Sequence, residues 1–271
     1  MSNNLKIVPT KNDVGAYITG VDINNISTLF EIDQIRNILE VYGAIFFKKQ
    51  NLNSETYQNF ASAFGKLVAY PRLKGLNNFP FINEIIRRPE DKNLTFASSF
   101  FHNDGPYSGS NRPKYTMLMG IEIPEKQGNT IFSSGINAYE KLPENIKQKI
   151  KNATGIFSSE GPIAATRIER EKEMGIKSAK KMEAEHPIVQ EVNGQKSLYI
   201  SPGHLIKIKN IDEENDENLK KFLIDHVNKK EFIFSYEWDK GDVIMWHNFL
   251  VSHCASQIKN CKRVMHRITV K

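Results

Sequence analysis

Gly241-Asp242-Val243-Ile244-Met245-Trp246-His247-Asn248, then His253, then Lys262-Arg263-Val264-Met265-His266-Arg267-Ile268-Thr269-Val270 form the densest part of the chain. Gly-Asp ahead of an apolar run reads as a turn feeding a strand. The last segment is β-branched and free of breakers, hence a second strand. Strand side chains leave alternate faces, so Arg263, Met265 and Arg267 share one side while Val264, His266 and Ile268 share the other. Two arginines pointing into one side of a sheet are costly if buried without anions. That asks for a ligand.

Working outward, the same strand signature recurs. Val14–Val21 is an alternating, glycine-punctuated strand and turn, and Ala44–Phe47 is a short apolar run bounded by turns. Further strands are expected at Phe81–Ile86, Tyr115–Ile123, Thr130–Phe132, His186–Val189, Ser197–Ile200 and Phe232–Tyr236. Asn193-Gly194 supplies a hairpin turn. Helical periods are fewer. Ile32, Ile35, Leu39 and Tyr42 lead to a Gly43 C-cap, and Ser54 caps a helix carrying Tyr57, Phe60, Ala61 and Phe64. Ala138–Leu142, Pro143–Lys151 and a segment with Leu219, Phe222, Leu223 and Val227 also read as helical. Many short strands with few helices predict a β-rich α+β fold, one barrel-like or sandwich core with helices outside. With no repeat and no linker, residues 1–271 form a single domain. The polar, aperiodic stretch at about 158–185 reads as a lid-like excursion or a mobile surface loop.

The 271 residues are 39% hydrophobic and 25% charged, enough for a substantial core. A net charge of +6 is spread over scattered lysines. Without a clustered basic stripe and interleaved aromatics there is no nucleic-acid signature; the scattered charges read first as a solvated surface, and the basic balance would also help draw in small anionic substrates. Two cysteines, Cys254 and Cys261, do not make a disulfide framework. No signal peptide or membrane span is visible, so a soluble, cytoplasmic protein without membrane partners is expected.

Phe101-His102-Asn103-Asp104-Gly105-Pro106 is the candidate centre. On extended backbone, side chains at i and i+2 leave one face, so His102 and Asp104 can converge on one metal ion. A second histidine would complete the two-histidine, one-carboxylate face that suits non-haem Fe(II) and leaves positions open. A surface histidine that merely neighbours an aspartate is the alternative. By composition alone His247, His253 or His266 can be the third ligand. His186, His204 and His226 read as structural or surface histidines, and Cys254 as a small core filler.

Taken in order, Gly15–Asp22, Gly43–Phe47, Phe64-Gly65, His102–Asp104, Gly128-Asn129-Thr130, His186-Pro187, Gly241–Asn248, His253 and Arg263–Arg267 resemble the taurine dioxygenase (TauD/TfdA-like) family of Fe(II)/2-oxoglutarate-dependent dioxygenases. The likeness is collinear over nearly the whole chain. It implies a double-stranded β-helix, or jelly roll, with flanking helices, and iron held by His102, Asp104 and His253. It also implies that Arg263, ten residues after His253, binds the distal carboxylate of 2-oxoglutarate with Thr130 beside it. Guanidinium suits such planar recognition better than ammonium. The implied activity uses Fe(II), 2-oxoglutarate and O2 to oxidise or hydroxylate a C–H bond, releasing succinate and CO2. Asp104 favours oxygenation, because related halogenases replace this carboxylate with a small residue. Arg267 matches the arginine that grips the substrate anion, with pairing to a structural carboxylate as the alternative. Tyr70, Leu73 and Ser98, however, depart from the taurine pocket, so another small anion, a different sulfonate, a carboxylate or an amino-acid-derived compound, is expected. His247 departs from the family's aspartate and reads as a packing residue or a support beside the metal ligands. Family likeness further implies a homodimer or homotetramer. The contrasting reading is a catalytically silent jelly roll that binds metal and ligand without turnover.

Overall fold

The computed structural model describes residues 5–26, 28–69, 74–91, 100–164, 180–211 and 217–271. Its strands, in chain order, are β1 (Lys6–Pro9), β2 (Ala16–Thr19), β3 (Ala44–Phe47), β4 (Leu67–Val68), β5 (Gly75–Leu76), β6 (Phe79–Arg87), β7 (Tyr115–Glu122) and β8 (Thr130–Ser134). They continue as β9 (Thr154–Ser158), β10 (Glu183–Pro187), β11 (Val189–Val192), β12 (Gln195–Leu198), β13 (Leu205–Lys209), β14 (Ile233–Tyr236), β15 (Val243–His247), β16 (Val251–Ala255) and β17 (Arg263–Val270). The helices are α1 (Leu29–Tyr42), α2 (Ser54–Ser62), α3 (Gly135–Glu140), α4 (Glu144–Ile150) and α5 (Glu217–Val227).

The main sheet runs β1-β2-β3-β15-β7-β17-β6-β5, with β4 against β17. A smaller sheet, β14-β8-β16, carries His253. Alternation along β3 and β15 sorts their apolar side chains into two layers. Ala44, Phe46, Ile244 and Trp246 join Leu118, Phe132, Tyr236, Trp238 and Met265 in an inner core. Ile45, Phe47, Val243 and Met245 join Ile35 and Leu39 of α1 and Tyr57 and Phe60 of α2 in an outer one. A sheet buried on both faces explains why these strands read as unbroken apolar runs. This is the jelly-roll architecture with flanking helices that was expected. A third cluster packs α3, α4 and α5 around Phe157, Tyr199 and Leu205. No helix among the described residues is long and apolar enough to cross a membrane.

Local signals mostly hold. Gly43 caps α1 at φ 73°, and Thr28 with Glu31 forms a capping box at its start. Asn193 and Gly194, at φ 50° and 77°, join β11 to β12 as the two-residue hairpin expected. At α2 the cap is one residue earlier than expected: Asn53, not Ser54, accepts from the Thr56 amide at 2.8 Å. Strands β1, β4, β5, β9, β13 and β16 were not anticipated. Of the excursion at about 158–185, residues 165–179 lie outside the described residues, as do Tyr70, Leu73 and Ser98.

Candidate metal centre

His102 and His253 face each other across an isolated antiparallel bridge. Each amide donates to the other's carbonyl, His102 N to His253 O at 2.9 Å and His253 N to His102 O at 2.8 Å. Such a mutually bonded pair brings two side chains to one spot although 151 residues separate them in sequence. Their ring centroids are 4.4 Å apart. Asp104 sits two residues on, on the same face. The ligating atoms of His102, Asp104 and His253 lie within 4.8 Å of one another, the one such group among the described residues.

The intervening residue locks the strand down. Asn103 turns away, and its Nδ2 donates to the carbonyls of Asn248 (2.6 Å) and Val251 (2.9 Å), while its amide donates to Ser201 Oγ (3.0 Å). Gly203 N donates to Phe101 O at 3.0 Å, so the segment between β12 and β13 runs along the His102 strand.

Charge states suit a divalent metal. Burial, reinforced by the neighbouring His102, holds His253 down at about 3, so its imidazole is neutral. Burial lowers His102 as well. A 3.2 Å contact from His102 Nδ1 to Phe100 O assigns the proton to Nδ1 and leaves Nε2 as a lone-pair donor. Burial by itself would raise Asp104. Interactions with His253, Arg267 and His102 and the Thr116 hydrogen bond outweigh it, and the carboxyl is lowered from its ordinary value. Two neutral imidazoles and one carboxylate are the donor set of an open Fe(II) site. His253 Nδ1, buried without a hydrogen-bond partner among the described residues, adds to that fit.

A second polar spot lies on the inner face of β17. Arg263 is 7% exposed, and its Nε and Nη2 are buried without hydrogen-bond partners. No ion pair joins it to a described carboxylate, and burial lowers its guanidinium to about 10. A buried cation in that state fits an incoming carboxylate. Its guanidinium carbon lies 5.9 Å from the Trp238 ring, whose indole N–H donates to Thr130 Oγ1 at 3.0 Å. Arg263, Trp238 and Thr130 thus form one assembly. Further along β17, Arg267 Nη1 comes 3.7 Å from Asp104 Oδ1.

The other histidines sort by distance. His266 leaves the opposite face of β17 toward Glu84, at 3.7 Å, so it is not part of the cluster. His186 and His226 contact the carbonyls of Pro106 and Ala138, each at 2.8 Å, as structural residues. His204 is nearer, its ring centroid 6.1 Å from His102 and its Nδ1 3.1 Å from Ser158 O. His247 is fully buried, its Nδ1 accepting from the Phe249 amide at 3.1 Å. Cys254 is a buried free thiol, pushed up to about 12 by burial. Sequence reasoning missed Trp238 and Thr116. Only Thr116 left a signal, a hydroxyl inside an otherwise apolar strand.

A family model described as "Taurine catabolism dioxygenase TauD, TfdA family" matches residues 6–269. An alkylsulfatase from Acinetobacter baylyi is 29% identical over 269 residues, 95% of this chain and 82% of its own. An alpha-ketoglutarate-dependent sulfate ester dioxygenase from Pseudomonas putida is 24% identical, covering 98% of this chain and 89% of its own. The crystal structure of a taurine dioxygenase from Burkholderia xenovorans superposes with a TM-score of 0.80 at 24% identity, covering 98% and 89% of the two chains. That likeness bears on the fold.

Proposed function

The chain belongs to the TauD/TfdA family and is an Fe(II)- and 2-oxoglutarate-dependent dioxygenase; on that premise we propose that it oxidises a C–H bond of a small organic sulfate ester or sulfonate within a single catalytic domain, residues 1–271. In this reading His102, Asp104 and His253 hold the iron, and Arg263 and Thr130 receive the far carboxylate of 2-oxoglutarate. When bound, iron and 2-oxoglutarate supply oxidation of the substrate by O2, coupled to release of succinate and CO2.

The protein's own work is placement. The backbone bridge holds His102 and His253 face to face. Arg263 offers a planar pair of donors, and the Trp238 N–H occupies one lone pair of Thr130 Oγ1, leaving the Thr130 hydroxyl proton free for a carboxylate oxygen. Arg267 places a positive charge beside the ligand cluster, where a sulfate or sulfonate head can pair with it while its carbon chain reaches the metal. That guanidinium at 3.7 Å from Asp104 is the observation that carries the substrate class. Oxidation at the carbon bearing a sulfate ester gives a hemiacetal sulfate, which collapses to an aldehyde and inorganic sulfate. The names of the alkylsulfatase and sulfate ester dioxygenase relatives support esters ahead of taurine.

A second reading rests on the same contact: Arg267 serves only to keep Asp104 ionised. A succinate-release screen separates them, run with Fe(II), 2-oxoglutarate and O2 over alkyl sulfates, alkyl sulfonates, taurine and aryloxyacetates. Alkyl sulfates are expected to give succinate and sulfate in equal amounts, with KM raised about a hundredfold in Arg267→Met. Loss of turnover in Arg267→Met at unchanged KM would favour the second reading. Succinate release stimulated by none of these anions would reject the substrate class.

A further inference from the structure

Asp104 is enclosed in a ring of hydrogen bonds that the metal-binding reading does not require. Its amide donates to Asn248 Oδ1 at 3.1 Å, Asn248 Nδ2 donates to Thr116 Oγ1 at 2.9 Å, and Thr116 Oγ1 donates back to Asp104 Oδ2 at 2.7 Å. The indole N–H of Trp246 also donates to Asn248 Oδ1, at 3.1 Å. Two N–H donors on that oxygen fix which way the Asn248 amide faces. Thr116 therefore accepts from Asn248, and its single proton is left for Asp104. Every bond in the ring has a defined direction. Thr116, Trp246 and Asn248 are completely buried. Thr116 is the second residue of β7, paired on one side with Trp246 of β15 and on the other with Thr269 of β17, so its hydroxyl is mounted on backbone flanked by two neighbouring strands of the main sheet.

We propose that Thr116 and Asn248 are positioning residues that hold Asp104 as a one-oxygen metal ligand. With Oδ2 bound to a sheet-mounted hydroxyl, the carboxylate plane cannot swing to present both oxygens. A two-oxygen carboxylate would take a position that the keto acid or O2 needs. The inference rests on the reading of His102, Asp104 and His253 as metal ligands. It adds what keeps the rest of the coordination sphere open.

The test uses Co(II) as the probe, titrated into apoprotein and read by affinity and by the visible d–d absorption, which reports coordination number. Wild type is expected to bind one Co(II), with binding lost in His102→Ala. Thr116→Val, of equal shape without the hydroxyl, is expected to bind at least about tenfold more weakly with an altered d–d spectrum, and Thr116→Ser to restore both. Thr116→Ala carries the same expectation should the valine variant fail to fold, and circular dichroism of the apoproteins identifies that case. Thr116→Val or Thr116→Ala with wild-type affinity and spectrum would overturn the inference. So would Thr116→Ser shifting as far as Thr116→Val, since the methyl would then matter and not the hydroxyl. Absence of His102-dependent Co(II) binding in wild type would instead overturn the metal-ligand reading beneath it.

Discussion

Arg263 carries a cost that only a bound anion removes. Replacing a buried charge that has no opposite partner by an apolar side chain of similar length is commonly neutral or stabilising. Arg263→Met is therefore expected to keep or raise the urea midpoint of the apoprotein. The same change is expected to weaken 2-oxoglutarate binding by roughly a hundredfold, from the loss of charge-assisted hydrogen bonds. Calorimetric titration of the keto acid into Co(II)-loaded protein reads the second effect. Arg263→Lys should recover only part of it, because an ammonium cannot present two parallel donors. A residue that stabilises when removed and disables binding when removed is there for the ligand. His247 gives the complementary case, a buried histidine with no place in the ligand cluster. Burial, reinforced by the nearby Lys114 charge, lowers it to about 3. The unfolded chain takes up a proton near pH 6.5 that the folded protein refuses until about pH 3. Stability is thus fully present above pH 6.5 and falls with acidification through that window, by about 1.4 kcal/mol per pH unit for this group. His247→Asn keeps an acceptor for the Phe249 amide without the titration. Urea unfolding of the apo variant between pH 6.5 and 4 should show a correspondingly shallower loss.

Between residue and fold, the turn leading into β8 decides whether Arg263 can lie where it does. Gly128 has φ 75°, and a Cβ there would come 2.8 Å from Arg263 Cδ and 3.0 Å from its Nε. Gly194, in the β11–β12 hairpin, has nearly the same φ, 77°, but nothing within 4 Å of such a Cβ. The pair separates backbone strain from displacement of the arginine. Both Gly→Ala variants are expected to lose about 1 kcal/mol of stability from the left-handed backbone. Only Gly128→Ala should also raise KM for 2-oxoglutarate, by about tenfold, with Co(II) affinity unchanged. A Gly194→Ala protein with an equal rise in KM would refute the steric account. Elements were also the scale at which the sequence spoke most plainly. Alternation and breaker-free runs exposed β3, β7, β15 and β17, and the 263/265/267 face of β17 was readable because strand geometry leaves no choice. Strand β16 was missed because His253 and Cys254 interrupt its apolar pattern, and β13 because Lys207 and Lys209 look like surface. The ring from Asp104 through Asn248 to Thr116 was not legible at all. Those residues meet only through the pairing of β7 with β15, which no local pattern encodes.

For the molecule as a whole, the centre is a closure. His102 precedes β7 and His253 lies on β16 of the smaller sheet, so a metal bound by both would join residues 151 apart in sequence. Two backbone hydrogen bonds of the His102–His253 bridge make that closure with no side chain involved. Folding and metal binding are therefore expected to be separable. The apoprotein is expected to fold alone, and a metal at about a hundred times its dissociation constant should add about 2.7 kcal/mol to the unfolding free energy, a rise of roughly 5 °C in melting temperature. His102→Ala removes a ligand while leaving its amide and carbonyl in the bridge. It should keep an apo melting temperature within a few degrees of wild type and lose the metal-dependent rise completely. If the bridge depended on metal, the apoprotein would instead show rapid amide exchange at His102 and His253 and an early loss of the inner core. Hydrogen exchange followed by mass spectrometry on peptides spanning β16 and the His102 strand, with and without Co(II), distinguishes a preformed cradle from a metal-assembled one. Slow exchange in the apoprotein is the expected result, because backbone carbonyls and not side chains pair both amides.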